Sequence, residues 1–505
     1  MVAPIPGDVQ TVAALVEQRA HQHPDRETLV DAHRRLTAGD LEVATRRWAN
    51  AFHALGLRAG DRLAVSMDNS VDLALSHLAA MRAGLVWVGV SRAFTYDERS
   101  YVLADSGSSV LLTDRSALAA CRVIDVTDAS WARLGRDTSA VELPVINPFA
   151  PAAIAYTSGT TGRPKGVVHS QRNMLLPGVV GGHRGEGSGP IGMYLPMTSL
   201  NMQVLGPVYA LVNGTCCVCI ECSDTASVVA AIRRERIERM SAAAATVYDL
   251  VVSPQVTAAD LATLTALTVG GSSTPDWLVD AYVAKFGTRF LSGYGLTEAP
   301  SSVTRERADS PHVAGGSGPA LPQFEIGVFD DVGLSVPVGD DGEICLRAAA
   351  EGPFANVYTP MLGYWNQVAI ALGSDEPPTD GWRRTGDVGR LDSSGELFVL
   401  DRRVDLIVRG GSNVYPAEVE RVLLADERVA HCAVVAQPDE RLGQLPVAFI
   451  ELRVGMSMSA AEARSICDSS LARYKVPVDF RFSATLPRNS MGKILRSELR
   501  ATLQA

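Results

Sequence analysis

Cysteine, excess positive charge and long apolar runs are all scarce in this sequence. The chain has eight cysteines among 505 residues, too few for a disulfide scaffold. Its 46 lysines and arginines are outnumbered by 56 aspartates and glutamates, and the net charge of −10 argues against a nucleic-acid partner, which needs a basic patch. No apolar run approaches the roughly 18 residues of a membrane span, so we expect no membrane-spanning helix. The N-terminal residues MVAPIPGDVQTVAALVEQ lack a basic region followed by an apolar core, so we expect no signal peptide and a cytoplasmic protein.

Four of the cysteines cluster between Cys216 and Cys222, in the run CCVCIEC. This spacing hints at a metal site, but a tetrahedral site usually takes ligands from two paired segments, and the sequence has one such segment. The run follows Asn213 and Gly214, a turn signal, and indicates a buried strand in which cysteine acts as a small apolar residue. The nine histidines form no H-x-x-x-H pattern, which leaves a metal hydrolase without support.

The length of the chain predicts two or more domains, and its periodicity predicts an α/β fold. Over residues 11–150 helical and strand patterns alternate, with helices at 41–57 and 71–82 and strands at 62–66, 85–90 and 109–113. A second round over residues 193–291 has helices at 228–236 and 275–286 and a strand at 265–269. This alternation favours two α/β subdomains, each with a largely parallel sheet.

The pattern of predicted secondary structure changes after about residue 315. Short strands at 325–328 and 342–346 lie between Pro, Gly and Asp turns, which is typical of a small β-barrel-like subdomain. Around residues 401–405 a charged, compact α+β unit begins, and its length of about a hundred residues is usual for a domain. We therefore predict a large N-terminal domain over residues 1–403 and a small α+β domain over residues 404–505.

The stretch YTSGTTGRPKGVVHS, residues 156–170, is rich in groups that bind a phosphate chain. Glycine lets backbone N–H groups approach an anion, Ser and Thr hydroxyls add donors, and Lys165 adds a mobile charge. The stretch differs from the common P-loop, G-x-x-x-x-G-K-[ST], because Gly162 and Lys165 are not adjacent and no hydroxyl follows the lysine. The strand-like residues 154–156 and 167–168 predict a strand–loop–strand phosphate clamp. The alternative is a polar hairpin loop without a ligand.

Four more stretches carry chemistry although they lie far apart: SGYGLTE at 292–298, GWRRTGD at 381–387, DRRVDLIVRGGSNVYPAEVE at 401–420 and PRNSMGKIL at 487–495. Tyr294 between two glycines can present a flat face to a purine, and Glu298 is an oxygen ligand suited to Mg²⁺. Asp387 can accept from two ribose hydroxyls, Arg402 can donate to ribose or phosphate, and Lys493 lies in a glycine-flanked loop. Each residue taken alone has an ordinary alternative. Tyr294 could be a core residue and Glu298 the start of a helix, while Asp387 could form a turn and Lys493 could be a surface charge. Together, in this order, they complete a nucleotide site.

The joint pattern resembles the adenylate-forming superfamily, which includes acyl- and aryl-CoA synthetases, adenylation domains and luciferases. The resemblance covers nearly the whole chain and implies a two-step reaction. A carboxylate attacks the α-phosphate of ATP to give acyl-AMP and pyrophosphate, and a thiol then displaces AMP to form a thioester. The cofactors it implies are ATP, Mg²⁺ and CoA, or the phosphopantetheine of a carrier protein. Much of the first step should be positioning and charge stabilisation.

The resemblance also implies a role for each matching residue. The β- and γ-phosphates would be held by Thr157, Ser158, Gly159, Thr160, Thr161, Gly162 and Lys165. Adenine would stack on Tyr294, with Gly293 and Gly295 on either side of it, and the segment with Gly271 and Ser272 would line adenine and the acyl group. Asp387 would take the ribose hydroxyls, with Arg402 nearby. The catalytic residues would be Thr297 at the α-phosphate, Glu298 holding Mg²⁺ with Thr157, and Lys493 bridging the carboxylate and α-phosphate oxygens.

The resemblance further implies that the small C-terminal domain is mobile and rotates between the two half-reactions. One conformation would bring in Lys493, and the other would present Gly410 and Gly411 to the pantetheine arm of the thiol. The hinge position, normally Asp or Lys, is Val404 here. Because a β-branched residue is stiffer, we expect the hinge to behave differently without activity being excluded.

The expected acid pocket departs from relatives at residues 195–201, LPMTSLN, where Thr198 and Ser199 replace an aromatic residue and a histidine. Amino-acid-activating members carry an aspartate at the position of Ser199 to pair the α-ammonium group. We therefore expect the substrate to be a small-molecule, non-amino carboxylic acid, aliphatic or aromatic. The residues assigned to the pocket are Ser199, Asn201 and Met202. The apolar residues around them suit either a pocket wall or the core: Met197, Leu200, Val204 and Leu205.

The sequence leaves alternatives open for the thiol that accepts the acyl group and for the class of protein. The segment GGSNVYPAEVE resembles the version in CoA ligases, so free CoA is expected, and the phosphopantetheine of a separate carrier protein is the alternative. A monomer and a homodimer are both compatible with the sequence. A catalytically silent nucleotide binder on this fold is a third interpretation, against which Lys493, Glu298 and Asp387 argue.

Overall fold

The structure is a computed structural model, and it describes most of the chain. The described residues are 3–7, 9–115, 119, 121–134, 143–157, 164–185, 189–221, 224–270, 274, 276–365, 381–402, 405–409, 412–439, 441–488 and 493–503.

The helices begin where the sequence offers side-chain caps, as at Thr37, Ser70 and Thr95, whose hydroxyls accept backbone N–H bonds of the first turn. Their bounds are α1 Val12–Gln22, α2 Ala38–Ala54, α3 Val71–Ala83, α4 Tyr96–Ser106, α5 Ala129–Leu134, α6 Gln171–His183, α7 Leu200–Gln203, α8 Tyr209–Asn213, α9 Thr225–Glu235, α10 Ala244–Val252, α11 Asp276–Phe286, α12 Pro416–Leu424, α13 Ala460–Ser470 and α14 Arg496–Ala501. A π-helical turn, Val204–Val208, joins α7 to α8, and a 3₁₀ turn spans Ala258–Leu261.

The strands are short, and most of those in the parallel sheets are apolar. They are β1 Glu27–Val30, β2 Arg35–Thr37, β3 Arg62–Ser66, β4 Val86–Gly89, β5 Val110–Thr113, β6 Arg122–Asp125, β7 Pro151–Thr157, β8 Lys165–Ser170, β9 Ile191–Met193, β10 Cys217–Cys219, β11 Arg239–Ala242, β12 Ala266–Gly270, β13 Leu291–Gly293, β14 Gly295–Leu296, β15 Ser301–Ser302, β16 Phe324–Phe329, β17 Gly342–Ala348, β18 Gly363–Tyr364, β19 Arg383–Leu391, β20 Leu397–Arg402, β21 Ile407–Arg409, β22 Ser412–Val414, β23 Val429–Asp439, β24 Gly443–Leu452 and β25 Asp479–Ser483.

Two seven-stranded sheets form the large domain, which confirms the predicted α/β class. One has the order β18-β8-β7-β4-β3-β5-β6, and the other has the order β13-β12-β11-β9-β10-β1-β2. Their central strands run parallel, as buried apolar strands separated by helices require. One hydrophobic cluster joins the two sheets and includes Leu63 from β3, Ile191 from β9 and Met174 from α6.

Strand β10 confirms the interpretation of the cysteine-rich run. Cys217 and Cys219 are buried and lie between β9 and β1, and burial raises the pKa of the Cys217 thiol far above its ordinary value. These cysteines therefore act as small apolar side chains in the described part of the run, which stops at Glu221.

The small β subdomain expected after residue 315 contains a four-stranded antiparallel sheet, β16-β17-β19-β20. The last hundred residues form the predicted α+β unit, in which β22-β21-β24-β23 with β25 pack against α12 and α13. Among the residues that the structure describes, no helix has the length and apolar character needed to cross a membrane.

Candidate active site

The two strands expected on either side of the predicted phosphate-binding loop are present. Strands β7 and β8 are antiparallel, and Thr157 is paired with Lys165 where the loop leaves the sheet. Thr157 and Lys165 are half-buried. The other predicted phosphate-binding residues lie outside the described residues: Ser158, Gly159, Thr160, Thr161 and Gly162.

Helix α4 holds both stems of this loop. The Tyr156 hydroxyl donates to Asp105 Oδ2 at 2.6 Å, and the Tyr101 hydroxyl donates to the Pro164 carbonyl at 3.0 Å. The Trp365 indole N–H donates to the Asp105 carbonyl at 2.9 Å. Burial and the Asp105 carboxylate raise the pKa of Tyr156, which keeps its hydroxyl a donor. Sequence reasoning missed these supports, because nothing in α4 identifies its neighbours.

Tyr364 brings Lys165 and Glu298 to one place. The Lys165 Nζ lies 5.4 Å from the centre of the Tyr364 ring, within the range of a cation–π contact. The Tyr364 hydroxyl donates to Glu298 Oε1 at 3.2 Å. Strand β18 makes this arrangement, because it pairs with β8 and sets Tyr364 opposite Val167. Sequence reasoning missed Tyr364, although its Gly-Tyr-Trp setting is a signal that could have marked it.

A buried histidine positions the loop that carries Thr297. His169 Nε2 lies 2.6 Å from the Thr297 carbonyl oxygen, and this acceptor requires the hydrogen on Nε2. Burial lowers the pKa of His169 to about 4, and the bond to Thr297 opposes that shift in part. His169 is therefore a neutral donor near pH 7. It ties β8 to the turn that holds Thr297 and Glu298.

Tyr294 and Asp387, predicted to bind adenine and ribose, contact each other. The Tyr294 hydroxyl donates to Asp387 Oδ2 at 2.5 Å, in the range of a charge-assisted bond. Burial and the Asp387 carboxylate raise the pKa of Tyr294 well above its ordinary value. Asp387 is opposite Arg402 in the pairing of β19 with β20. The side chain of Arg402 lies outside the described part of the structure.

The carboxyl ends of β12 and β13 adjoin this pair. Gly293 ends β13, and a Cβ there would lie 2.9 Å from the Thr304 carbonyl oxygen, so only glycine fits without a shift. Gly295 is exposed and starts β14. Gly271 and Ser272, predicted next to adenine and the acyl group, lie outside the described residues.

The predicted acid-pocket segment is partly core. Four apolar side chains are buried in the hydrophobic core: Met197, Leu200, Met202 and Val204. Ser199 and Asn201 are half-buried at the start of α7. A Cβ on Gly89 would lie 1.8 Å from the Thr198 carbonyl oxygen, so this segment presses directly on the end of β4.

In the C-terminal domain, Lys493 is exposed just beyond residues 489–492, which lie outside the description. Arg488 and Ile494 form an isolated antiparallel β-bridge, and the Leu495 N–H donates to the Pro487 carbonyl at 2.8 Å. These backbone contacts hold the two ends of this loop together. Val404, Gly410 and Gly411, predicted at the hinge and the pantetheine site, also lie outside the described residues. Beside them, Asp405 pairs with Arg496 and Arg500.

Comparisons with known proteins agree over almost the whole chain. Residues 16–365 match the family described as AMP-binding enzyme, and residues 418–493 match the AMP-binding enzyme C-terminal domain. The long-chain-fatty-acid–CoA ligase FadD13 of Mycobacterium tuberculosis is 30% identical over 98% of this chain and 99% of that protein. Feruloyl-CoA synthase of an Amycolatopsis species is 31% identical over 96% of this chain and 97% of its own. The structure of o-succinylbenzoate CoA synthetase (MenE) from Bacillus subtilis with its acyl-adenylate intermediate OSB-AMP superposes with a TM-score of 0.83 at 28% identity, covering 96% of this chain and 97% of the other.

Proposed function

The chain belongs to the AMP-binding enzyme family, and on that premise we propose that it joins a carboxylic acid to coenzyme A through an acyl-adenylate. In the first half-reaction a carboxylate oxygen bonds to the α-phosphorus of ATP and pyrophosphate leaves. In the second, the thiol sulfur of CoA bonds to the acyl carbon, AMP leaves, and the thiol proton is released.

The observation that carries this proposal is the convergence of two distant pairs of residues. Lys165 and Glu298 meet at Tyr364, and Tyr294 meets Asp387. The turn between Tyr294 and Glu298 spans the two groups. One triphosphate nucleotide can therefore lie with its phosphates near the first pair and its nucleoside near the second.

Asp387 and Tyr294 would hold the nucleoside. A carboxylate has about four lone-pair sites, so Asp387 can accept from Tyr294 and from ribose hydroxyls together. The ring of Tyr294, held at its hydroxyl, offers a fixed face for adenine. Base stacking on such a ring contributes about 1–3 kcal/mol.

Glu298 and Thr157 would hold Mg²⁺. A carboxylate and a hydroxyl are the oxygen ligands that this ion prefers, and substrate phosphates usually complete its shell. The contact with Tyr364 orients one oxygen of Glu298, in keeping with the partners that commonly fix metal ligands. The ion would neutralise phosphate charge, while Lys165 adds a second positive group beside it.

Thr297 and Lys493 would act at the α-phosphate. His169 holds the backbone of Thr297, which limits the movement of this residue during the reaction. The ammonium group of Lys493 would bind the carboxylate and α-phosphate oxygens as negative charge develops, an interaction of the kind that dominates such steps. Rotation at Val404 would then withdraw it.

The acid is a non-amino carboxylic acid, aliphatic or aromatic, in this proposal, because Ser199 offers no charge to an α-ammonium group. The acceptor is free CoA. The phosphopantetheine of a separate carrier protein remains the second candidate acceptor, and a silent nucleotide binder is the alternative outside catalysis.

The test is carboxylate-dependent exchange of labelled pyrophosphate into ATP across a broad acid panel, followed by thioester detection by mass. We expect exchange with at least one non-amino acid and a thioester with CoA. Exchange with an acid that gives a thioester only on a carrier protein would change the acceptor. Absence of exchange across the panel, with ATP binding retained, would leave the binder as the better description.

A further inference from the structure

Asn69 lies between β3 and α3, and its side chain reaches the connection from β9 to α7, residues 194–199. Its Nδ2 donates to the carbonyls of Met193 at 3.3 Å and Leu195 at 2.9 Å, and its Oδ1 accepts from the Met197 N–H at 2.8 Å. Strands β3 and β9 belong to different sheets, so one side chain links the segments that follow the carboxyl ends of both. In α/β folds, ligands bind at this end of the strands.

The three bonds of Asn69 suit a carboxamide in particular. Two carbonyls need donors and one N–H needs an acceptor, and an amide side chain supplies both. Asn69 is 7% exposed, which limits the competition of water for these bonds. The Met193 carbonyl also accepts from the Ile220 N–H at 2.8 Å. Within the described residues, the Leu195 carbonyl and the Met197 N–H have no second hydrogen-bond partner, so both depend on Asn69.

A second buried amide holds the same connection. Gln203, in α7, is fully buried, and its Nε2 donates to the Met197 carbonyl at 2.7 Å. The two polar backbone groups of Met197 are therefore both bonded to side-chain amides. The Oε1 of Gln203 has no hydrogen-bond partner among the described residues. Because a buried unpaired oxygen lowers stability, Gln203 is poorly suited to a purely structural role.

The backbone of β4 limits movement of the connection in a further direction. A Cβ on Gly89 would lie 1.8 Å from the Thr198 carbonyl oxygen and 2.7 Å from Cη2 of Trp87. Thr198 therefore lies directly against the end of β4, with no side chain between them. The connection cannot approach β4 more closely, and the two amides prevent it from moving away.

The position of Met197 determines the position of the residues expected at the acid pocket. Ser199 and Asn201 follow it by two and four residues at the start of α7. The Ser199 N–H donates to the Pro196 carbonyl at 3.0 Å, so the turn at Met197 continues into the helix without a flexible break. A shift of Met197 would therefore shift both pocket residues.

We propose that Asn69 and Gln203 are positioning residues for the acid. They fix Met197 from both of its backbone groups, and through it the wall that carries Ser199 and Asn201. Neither amide contacts the acid in this inference, which rests on the proposed function and adds determinants of its acid specificity. The nucleotide is assigned to other segments, so a displaced wall should weaken the fit of the acid and leave that of ATP unchanged.

The test measures the KM of the acid and of ATP separately in the pyrophosphate exchange assay, with the best acid of the panel. Asn69→Ala leaves two backbone groups unpaired, and Asn69→Asp keeps the acceptor but loses both donated bonds. Each should lower kcat/KM for the acid by about tenfold or more, through a raised KM, because small misplacements have effects of this size. The KM for ATP should stay the same. Absence of exchange in the unaltered protein refutes the proposed function itself.

Gln171→Ala is the matched control. Gln171 is 2% exposed, and its amide accepts from the Ala13 N–H at 3.1 Å and donates to the Met81 carbonyl at 2.8 Å. It ties α6 to α1 and α3 and has no bond to the connection between β9 and α7. This variant should lower the melting temperature as Asn69→Ala does, but leave the KM of the acid unchanged.

Gln203→Leu gives a second measurement that does not depend on the stability of the Asn69 variants. It removes the bond to the Met197 carbonyl together with the unpaired Oε1, so the melting temperature should fall less than in Asn69→Ala, while the KM of the acid still rises. Equal rises in KM for the acid and ATP, or a rise in Gln171→Ala as large as in Asn69→Ala, would mean that the amides are structural. Either result overturns the inference, as does an unchanged KM of the acid in the Asn69 and Gln203 variants.

Discussion

The contact between Tyr294 and Asp387 allows the ring and the hydroxyl of one tyrosine to be tested separately. Tyr294→Phe removes the 2.5 Å hydrogen bond and keeps the ring, whereas Tyr294→Ala removes both. A hydrogen bond to a charged group contributes about 1.5–3 kcal/mol net. Asp387 is 8% exposed, so water cannot fully replace the lost donor. Both variants should therefore lower the free energy of unfolding by at least about 1.5 kcal/mol.

Nucleotide affinity should distinguish the two variants. In Tyr294→Phe the stacking face is unchanged and Asp387 still accepts from ribose, so the Kd for ATP should change less than about threefold. In Tyr294→Ala the loss of stacking, about 1–3 kcal/mol, should weaken binding by about 5- to 150-fold.

The assay is isothermal titration with a non-hydrolysable ATP analogue, together with urea unfolding of each variant. Tyr282→Phe is the matched control, since it removes the hydroxyl of a tyrosine buried in α11, away from the site. If Tyr294→Phe weakened ATP binding as much as Tyr294→Ala, the hydroxyl and not the ring would contact the nucleotide. That result would refute the assignment of Tyr294 to adenine.

Four other changes have defined outcomes. Lys493→Ala should lower pyrophosphate exchange by about 100-fold or more but change thioester formation from supplied acyl-AMP only a few-fold; equal losses would contradict its role in adenylation. Tyr364→Phe should raise the Mg²⁺ concentration for half-maximal exchange by about tenfold, and an unchanged Mg²⁺ titration would disprove its link to the ion through Glu298. His169 has a pKa of about 4 in the fold and about 6.5 when unfolded, so the unfolded state binds more protons between these pH values. The contribution of His169 to the free energy of unfolding is therefore complete above pH 6.5, and it falls by up to about 1.4 kcal/mol per pH unit as the pH is lowered to 4. His169→Gln should flatten that part of the stability profile in urea unfolding, and an identical slope would argue against a neutral buried histidine. Gly89→Ala should destabilise the protein by about 1–3 kcal/mol in the same measurement, because its Cβ would collide with the Thr198 carbonyl; a neutral effect would show that the segment can move.

The sequence by itself determined the local elements and the kind of chemistry. Periodicity predicted α3 within a residue at each end, because this signal acts between residues a few positions apart. The run 156–170 predicted the two strands β7 and β8, since their strand-forming residues are contiguous. The order of the separated motifs was enough to indicate an adenylate-forming enzyme, which the family comparisons confirm.

Only the tertiary structure decided which residues meet. Tyr364 and Glu298 are separated by 66 positions, Tyr294 and Asp387 by 93, and His169 and Thr297 by 128. The motifs indicated that these residues serve one site, but not which side chains touch, because the contacts depend on strand order, strand register and the packing of whole sheets.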